Sequence, residues 1–373
     1  MKPTLLFVSP VVPSLTGNGV AMRGGAVLEA LAYSYRVSVL TALLQPAFTK
    51  HMPVSLRQLC EDVIEIPAAQ IGGSDAYERQ RFDVVHVFRL SSLQAAGPYL
   101  QGSRTQARHL DLDDIESKTR RRIAALQRQN GLETLARQTE AAARNAEMIE
   151  VVVFRRFGRI YVCSEGDRQE LRGRCQAEVV VLPNIVRPAP FLPPRAEDGT
   201  WRLLFVGTLG YYPNEDAVVY FCTNILPRVR ALAACKVELV IAGIGGSPQL
   251  REVAREAGAH LAGAMPDLTP VYQSADAVIV PIRAGGGTRI KILEAFTHGR
   301  PVISSMIGVE GINARGEEHL LIADTPEAFA DCCLRLMTDR LLWQRLAANA
   351  LELTHRVYTP EILRSTVEPA GLL

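Results

Sequence analysis

Short apolar runs alternate with helical stretches along most of this chain, and that alternation restricts the possible folds more than any other feature of the sequence. Strands buried on both faces are continuously apolar, and a helix between two such strands returns the chain so that they pair in parallel. The sequence therefore predicts an α/β fold built on parallel sheets. In the first half the strand-like runs are Leu5–Val8, Arg36–Thr41, Val63–Pro67, Asp83–Val87, Ile160–Cys163 and Val179–Pro183.

A proline-rich stretch divides the alternation into two series. Residues 187–200 open with four prolines in the eight residues Arg187–Pro194, which excludes a helix or a central strand and favours a semi-rigid linker. We predict one Rossmann-like domain at residues 1–186 and a second at residues 201–357. Ligands are expected beyond the carboxyl ends of the strands, in a cleft between the domains. In the second half the strand-like runs are Trp201–Val206, Val237–Gly243, Ala277–Pro281, Pro301–Ser304 and Leu320–Ala323.

Composition agrees with a globular protein of more than one domain. The chain has 373 residues, enough for about two and a half domains of average size. Its 48% hydrophobic and 21% charged residues exclude a disordered, collagen-like or coiled-coil chain. The net charge of +2 argues against a protein that coats nucleic acid. The chain contains seven cysteines and no C-x-x-C motif, which indicates a reducing compartment and hence the cytoplasm.

Neither a signal peptide nor a membrane-spanning helix is predicted. The apolar run Leu5–Val8 is short and continues into Ser9 and Pro10, which favours a buried first strand over a signal peptide. No stretch of 18 uncharged apolar residues occurs in the sequence, so no segment has the length that a helix needs to cross a bilayer.

The segment Pro281–Ile303 carries the strongest functional signal. Three glycines, Gly285–Gly287, separate a predicted strand from a predicted helix, and the free N–H groups at such a helix start suit a phosphate. At about 100° per residue, Lys291 and Glu294 lie on one helical stripe with Gly287 and His298. Lys291 would meet phosphate charge, and Glu294 would reach the ribose hydroxyls. The alternative is a glycine-rich turn before an ordinary amphipathic helix.

This segment resembles the donor-binding element of GT-B glycosyltransferases, specifically glycosyltransferase family 4, the glycosyl transferases group 1. The usual signature has two glutamates separated by seven residues, and the second is followed by Ala and then by Gly and Pro-Val-Ile. Glu294–Ala295 and Gly299–Ile303 fit its second half, whereas Gly286 stands in place of the first glutamate. The departure resembles a subgroup that carries Gly-Gly-Gly-Thr-Arg-x-Lys before the glutamate, in which backbone N–H groups of the glycines replace the missing carboxylate.

The resemblance extends over nearly the whole chain and implies further site residues. Leu203–Leu209 resembles the strand that opens the donor domain, but the Arg and Lys that most members then supply to the diphosphate are absent from Gly210–Asp216. Arg289 and Lys291 are therefore expected to carry that charge. Pro213–Asp216 is interpreted as a turn and helix N-cap. The expected donor-binding residues are Gly17, Gly19, Gly207, Met265, Gly285, Gly286, Gly287, Thr288 and Glu294, with Gly243–Gly246 and Ala264–Asp267 resembling the base-holding loops and Val181–Val186 the hinge element.

Four carboxylates lie within six residues after a predicted strand, at Asp111, Asp113, Asp114 and Glu116. Family members often place a His-Asp pair here, so the resemblance makes Asp113 the candidate acceptor-side or acid/base residue. An Asp at a helix N-cap is the plainer reading. The spacing alone would permit a divalent metal, but the family does not generally use one, and we expect none. His86 is a further candidate, expected at a strand end.

A basic run, Lys118–Arg122, opens the helical stretch that follows. It could meet anionic lipid or a lipid-phosphate acceptor, which would place the protein peripherally at the inner face of the membrane. The alternative is a solvated helix face with counter-charges nearby.

The resemblance implies an enzyme that moves a sugar from a nucleotide sugar to an acceptor hydroxyl, with retention of anomeric configuration. Glycan, glycolipid, exopolysaccharide or natural-product biosynthesis would use such an enzyme. No cofactor and no nucleic-acid partner are expected. It also implies that residues 358–373 return to the first domain. Two alternatives remain, a sugar-nucleotide epimerase on the same fold and a non-catalytic module that binds sugar nucleotides.

Overall fold

A computed structural model describes residues 2–43, 51–67, 77, 80–101, 104–195 and 198–367. The chain divides into two compact units. Unit 1 comprises residues 1–121, residues 138–185 and the segment that begins at Pro360. Unit 2 comprises Arg122–Arg137 and Val186–Thr359. The assignment of residues 122–137 to unit 2 differs from the uninterrupted first domain expected from the sequence, because the contacts of this segment are with residues of unit 2.

Each unit contains one parallel sheet, which confirms the predicted α/β class. The strand order is β3-β2-β1-β4-β5-β6-β7 in unit 1 and β10-β9-β8-β11-β12-β13 in unit 2. Each order reverses once, between β1 and β4 and between β8 and β11, and such a reversal opens a crevice at the carboxyl ends of the two strands. The strands are β1 Thr4–Ser9, β2 Arg36–Leu43, β3 Cys60–Pro67, β4 Phe82–Phe88, β5 Thr105–Asp113, β6 Arg159–Val162, β7 Glu178–Val181, β8 Thr200–Val206, β9 Lys236–Ala242, β10 His260–Gly263, β11 Ala277–Val280, β12 Val302–Ser304 and β13 Leu321–Ile322.

Helices connect the strands in both units. None of those in the described residues is long and apolar enough to cross a membrane. They are α1 Gly19–Ser34, α2 Val54–Arg57, α3 Leu93–Ala96, α4 Glu116–Gln129, α5 Glu133–Val153, α6 Glu165–Leu171, α7 Tyr212–Tyr220, α8 Leu226–Leu232, α9 Pro248–Glu256, α10 Thr269–Ser274, α11 Ile290–Thr297, α12 Met306–Val309, α13 Pro326–Thr338, α14 Arg340–Val357 and α15 Pro360–Val367, with a π-helical turn at Phe221–Ile225 and 3-10 turns at Leu90–Ser92, Gly97–Tyr99 and Phe154–Arg156.

The central strands of unit 1 are apolar throughout because both faces of the sheet are covered. Leu6 and Val8 belong to the core on one face of the sheet, and Leu5 and Phe7 belong to the core on the other face. Successive side chains of a strand point to opposite faces of the sheet. When both faces are covered, every position of the strand is buried and favours an apolar residue. Helix α15 packs on α1 and adds Leu363 to the second core. The C-terminal helix is therefore part of unit 1; residues 368–373 lie outside the described residues.

His86 lies in the middle of β4, not at its end as expected. Its ring stacks between those of Phe7 and Tyr161, at centroid distances of 5.5 Å to each. The side chain is fully buried, and neither ring nitrogen has a hydrogen-bond partner among the described residues. Burial lowers the pKa of His86 to about 3, with a smaller contribution from Arg23. His86 is thus a neutral core residue of unit 1.

Replacing His86 by Phe is expected to make unit 1 less sensitive to acid. The folded protein leaves His86 neutral down to about pH 3, whereas the unfolded chain takes up the proton near pH 6.5, so stability is lost as the pH falls through this window. At pH 5 the loss amounts to about 2 kcal/mol. His86→Phe keeps the ring stack and should remove that loss, as measured by amide hydrogen exchange in β4 at pH 5 and pH 8. Exposed His355→Gln is the control, and an unchanged pH dependence in His86→Phe would contradict the prediction.

The proline-rich stretch belongs to unit 2 and is held against it by hydrogen bonds from Arg300. Its described residues, 187–195 and 198–199, form no helix or strand, and most are exposed. Leu192 is the exception, since its side chain is buried in the core of unit 2. The fully buried guanidinium of Arg300 donates to the backbone carbonyls of Tyr272 at 2.7 Å, Leu192 at 3.2 Å and Pro193 at 2.9 Å. One side chain therefore holds the stretch against the body of unit 2.

Candidate functional site

The glycine-rich segment lies where the strand order of unit 2 reverses. β11 ends at Val280, the loop continues to Arg289, and α11 starts at Ile290. β8 pairs with β11 in parallel and ends at Val206, immediately before Gly207. The loops after β8 and β11 therefore leave the sheet side by side, at the crevice where doubly wound sheets bind ligands.

The Lys291 side chain bridges these two loops. Its Nζ donates to Oδ1 of Asn214 at 2.8 Å and lies 4.2 Å from the centroid of the Phe205 ring. A Cβ atom added to Gly207 would come within 2.7 Å of this Nζ, so a larger residue at this position would displace the amine. Burial lowers the pKa of Lys291 to about 7, with a smaller contribution from Arg289, and Glu294 opposes the shift. Within the described part of the chain, no carboxylate forms an ion pair with this amine, so the site holds a cationic group that lacks a strong counter-charge.

Asn214 and Asp216 are supporting residues of the site, so the N-cap interpretation of Pro213–Asp216 is wrong. Helix α7 starts earlier, at Tyr212, and its N-cap residue makes no side-chain capping bond. The Nδ2 of Asn214 donates to the Thr208 carbonyl at 2.9 Å, which fixes the oxygen that receives Lys291. The sequence shows a polar residue, Asn214, soon after the glycine that follows β8. Sequence alone does not show that its side chain turns towards α11.

Arg289 closes the glycine-rich loop on itself. Its Nη1 donates to the carbonyls of Gly286, at 2.7 Å, and Gly287. Its Nη2 is buried and has no hydrogen-bond partner among the described residues. One nitrogen of Arg289 therefore shapes the loop, and the other is the group with capacity for a ligand. Arg289 is the N-cap residue of α11, and Thr288, which precedes it, is half-buried.

Glu294 lies one turn beyond Lys291 on α11. It is half-buried, and the Tyr272 hydroxyl donates to its Oε2 at 3.5 Å. Burial raises the pKa of Glu294 to about 7, and Lys291 and Tyr272 oppose the shift. His298 is the C-cap residue, and its buried ring stacks on Tyr272 at 4.5 Å. The expected stripe thus reduces to Lys291 and Glu294, because Gly287 precedes the helix and His298 packs in the core.

The loops after β8 and β9 are in direct backbone contact. A Cβ atom at Gly243, where φ is 155°, would lie 1.8 Å from the Gly207 carbonyl oxygen. Leu209 donates its N–H to the Ile244 carbonyl at 2.7 Å. Met265, in the loop after β10, is half-buried against the core of unit 2. Close backbone approach therefore explains Gly243 and Gly245 in the loop after β9.

A second polar cluster of unit 2 includes residues that sequence analysis did not select. Nη1 of Arg122 donates to the Gly285 carbonyl at 3.2 Å, and the guanidinium pairs with Glu310. Arg283 pairs with Asp216 at 2.6 Å, and Asn130 donates to the same carboxylate at 2.6 Å. These contacts connect the helical segment 122–137 to the first half of the glycine-rich loop, at Arg283 and Gly285.

The basic run Lys118–Arg122 is compensated by carboxylates. Ion pairs join Lys118 to Asp167 and Glu170, Arg120 to Glu116, Arg121 to Glu147 and Arg122 to Glu310. The run therefore corresponds to the alternative stated from the sequence, a helix face with counter-charges nearby. It does not offer an uncompensated positive patch to a membrane.

In unit 1 the acidic cluster is paired with two arginines. Asp113 accepts from Arg89 at 2.9 Å and from Asn184 at 3.3 Å, and Arg89 also donates to Asp114 at 2.7 Å. The buried Arg23 donates to Asp111 at 2.8 Å and to Asn184 at 3.1 Å. Burial raises the pKa of Asp113, and Arg23 and Arg89 oppose the shift. Asp113 is thus held in a fixed orientation at the end of β5.

Arg89 and Asp113 share a backbone conformation that is unusual for residues other than glycine. Their φ angles are 66° and 63°, and they lie at the carboxyl ends of the adjacent strands β4 and β5. Such a conformation costs roughly 1–3 kcal/mol and is concentrated at functional sites. No local feature of the sequence points to Arg89, because a positive φ at an arginine depends on how the two strand ends meet.

Two of the expected donor-binding residues, Gly17 and Gly19, belong to unit 1. Gly17, with a φ of 102°, and Gly19, the first residue of α1, belong to unit 1, where Asn18 caps the helix by accepting from Ala21. Within the described residues, no group of three or more His, Cys, Asp or Glu side chains is arranged to hold a metal ion. The structure brings together Gly207, Gly285–Gly287, Arg289, Lys291 and Glu294 in unit 2.

Comparisons with known proteins agree with this geometry. Residues 200–339 match the family described as glycosyl transferases group 1. The chain is similar to phosphatidyl-myo-inositol mannosyltransferase of Mycolicibacterium smegmatis, with 29% identity over 232 residues, 58% of this chain. The similar region spans 59% of that protein, less than two thirds of its length.

Solved structures resemble the chain over almost its entire length. Sucrose-phosphate synthase from Thermosynechococcus elongatus superposes with a TM-score of 0.73 at 15% identity, covering 97% of this chain and 96% of that one. HepE of Anabaena, solved in complex with UDP and glucose, gives a TM-score of 0.71 at 12% identity and 98% coverage of both chains. Residues 200–339 therefore match the glycosyl transferases group 1 family, within a chain that has the fold of GT-B glycosyltransferases.

Proposed function

We propose that this chain transfers a sugar from a nucleotide-sugar donor to an acceptor hydroxyl. The observation that carries the proposal is the Lys291 amine, which lies over Gly207 at the strand-order reversal of unit 2 and lacks a strong counter-charge. A nucleoside diphosphate supplies the missing negative charge. The group 1 family match and the UDP or UDP-glucose held by HepE support this donor class.

The donor would bind along the start of α11. Its diphosphate would accept from Lys291, from the unpaired Nη2 of Arg289 and from backbone N–H groups of Gly285–Thr288. Glu294, one turn further on, would accept from the ribose hydroxyls. As the glycosidic bond to the leaving diphosphate breaks, Lys291 and Arg289 would stabilise the negative charge that develops on it.

Unit 1 would supply the acceptor side. Asp113 is the candidate contact to the acceptor hydroxyl, since Arg89 and Asn184 orient its carboxylate. In a retaining reaction the leaving diphosphate itself takes the acceptor proton, so the protein needs to provide position and charge rather than a nucleophile. We propose retention, no metal requirement and a cytoplasmic location; the seven free thiols accord with a reducing compartment.

Donor turnover distinguishes this proposal from its two alternatives. The purified protein is incubated with UDP-glucose, UDP-N-acetylglucosamine or GDP-mannose, with and without a panel of saccharide and lipid-linked acceptors. Acceptor-dependent release of nucleoside diphosphate, together with a glycosylated product, supports the transferase. A new sugar isomer from donor alone would support the epimerase. Binding that stabilises the fold without any turnover would support the non-catalytic module.

Asp113→Asn is expected to lower turnover about tenfold, equivalent to ~1.4 kcal/mol, while leaving donor affinity nearly unchanged. Asn keeps the shape of the side chain and tolerates a positive φ, so the change removes charge with little disturbance of the fold. The measurement is diphosphate release with acceptor present, beside donor binding by calorimetry. Asp62→Asn, an exposed carboxylate of β3, is the control. Unchanged turnover would leave Asp113 with a structural role.

A further inference from the structure

The C-terminal half of α5 exposes apolar side chains that none of the described residues cover. Met148 is 62% exposed, Val151 50% and Val152 58%. At about 100° per residue, these three residues fall within one narrow sector of the helix. The opposite side faces the core, where Ala143 and Ala146 are buried. The exposed sector, named here the α5 stripe, is therefore an outward apolar face on a well-anchored helix.

Arginines flank the α5 stripe at both ends. Arg144 lies in the same sector one turn earlier, and Arg155 and Arg156 follow in the exposed 3-10 turn. Among the described residues, no carboxylate lies within ion-pairing distance of Arg155 or Arg156. This distinguishes them from Lys118–Arg122, whose cations are compensated. The end of the helix is held in place because Phe154 and Phe157 beside these arginines are buried.

The carboxylates of α5 are directed away from the stripe or neutralised. Glu147 pairs with Arg121, and Glu140 pairs with Arg144. Glu150 is fully buried, where it accepts from the backbone and hydroxyl of Ser117. The surface presented by Arg144–Arg156 is consequently apolar at its centre and positive at its end.

We propose that the α5 stripe docks unit 1 on an anionic lipid bilayer. Apolar side chains on one helix face, bordered by arginines, are the combination that enters the interface between headgroups and acyl chains. Met148, Val151 and Val152 insert below the phosphates, while Arg155 and Arg156 contact the lipid phosphates. The positive border favours a bilayer with anionic lipids over a neutral apolar surface of another protein. This inference goes beyond the proposed transferase activity and does not depend on it.

Sedimentation with lipid vesicles tests the proposal. The full-length protein is mixed with vesicles of phosphatidylcholine alone or with about one third phosphatidylglycerol, at low and high salt. We expect binding to the anionic vesicles that weakens with salt, and much weaker binding to the neutral ones. Arg155→Glu with Arg156→Glu should reduce binding by more than about twentyfold, at roughly fivefold or more for each arginine. Val151→Asp with Val152→Asp should reduce it to a similar extent.

A matched control separates the α5 stripe from a general effect of surface charge. Leu341→Asp changes an apolar residue that is 77% exposed in unit 2, and it should bind vesicles like the unchanged protein. A cooperative thermal unfolding transition at an unchanged temperature shows that each variant is folded. Equal vesicle binding by all variants, or no binding by the unchanged protein, would overturn the proposal. So would a salt-insensitive dimer that Val151→Asp with Val152→Asp dissociates, since the stripe would then be a self-association face.

Discussion

We expect Arg300→Met to lower the free energy of unfolding of unit 2 by about 3 kcal/mol, because it leaves buried backbone carbonyls without a donor. The guanidinium is fully buried and satisfies the carbonyls of Tyr272, Leu192 and Pro193. Burial lowers the pKa of Arg300 to about 10, which reflects the cost of removing this charge from water, and Asp276 opposes the shift. A methionine side chain avoids the cost of burying a charge, but it has no hydrogen-bond donor for the three carbonyls. The net effect is therefore a lower free energy of unfolding.

Tryptophan fluorescence in urea measures this effect selectively. The two tryptophans of the chain, Trp201 and Trp343, both belong to unit 2. Arg300→Lys should destabilise less than Met does, although one ammonium group cannot reproduce the fork of a guanidinium. Arg315→Met, at a side chain that is 77% exposed, is the control. A loss below about 1 kcal/mol for Arg300→Met, within the usual range for an exposed position, would show that water replaces the arginine at these carbonyls.

We expect Lys291→Met to weaken UDP binding by roughly tenfold to a hundredfold, because charge-assisted hydrogen bonds to the diphosphate are worth about 1.5–3 kcal/mol. Met keeps the apolar stem against the Phe205 ring and removes the ammonium group. Uridine carries no phosphate, so its affinity should hardly change. Calorimetric titration of both ligands provides the measurement, and Lys236→Met, in the strand β9 of the same unit, is the control.

The pH dependence gives an independent test of the same contact. The pKa of Lys291 is lowered to about 7 without ligand, and a bound diphosphate would raise it again by favouring the charged form. Binding at about pH 8 should therefore take up close to one proton, and UDP affinity should fall as the pH rises from about 7 to 9. Lys291→Met should remove both effects. Equal weakening of UDP and uridine, or a pH dependence that persists in the variant, would exclude Lys291 from the phosphate site.

The architecture of both units was accessible from local sequence. Short apolar runs and the helices between them are set by burial on both faces of a parallel sheet, a property that each strand shows in its own residues. The same holds for Gly285–Gly287 and Lys291, because a strand, a glycine turn and a helix start follow one another directly in the chain. The family resemblance rested on that local segment, and the group 1 family match covers it.

The partners of those residues required the tertiary structure. Asn214 meets Lys291 across 77 positions and Arg122 meets Glu310 across 188, and no local pattern records such pairings. The same is true of Arg89, whose strained backbone arises where two strand ends meet. It is also true of His86, because its place inside β4 and its complete burial are seen only in the folded structure. The positive charges of the basic run Lys118–Arg122 can be recognised in the sequence. The carboxylates that pair with them are identified only by the structure. Charge, turn and periodicity are local properties, whereas ion pairing, burial and pKa depend on which distant residues the fold brings within a few ångströms.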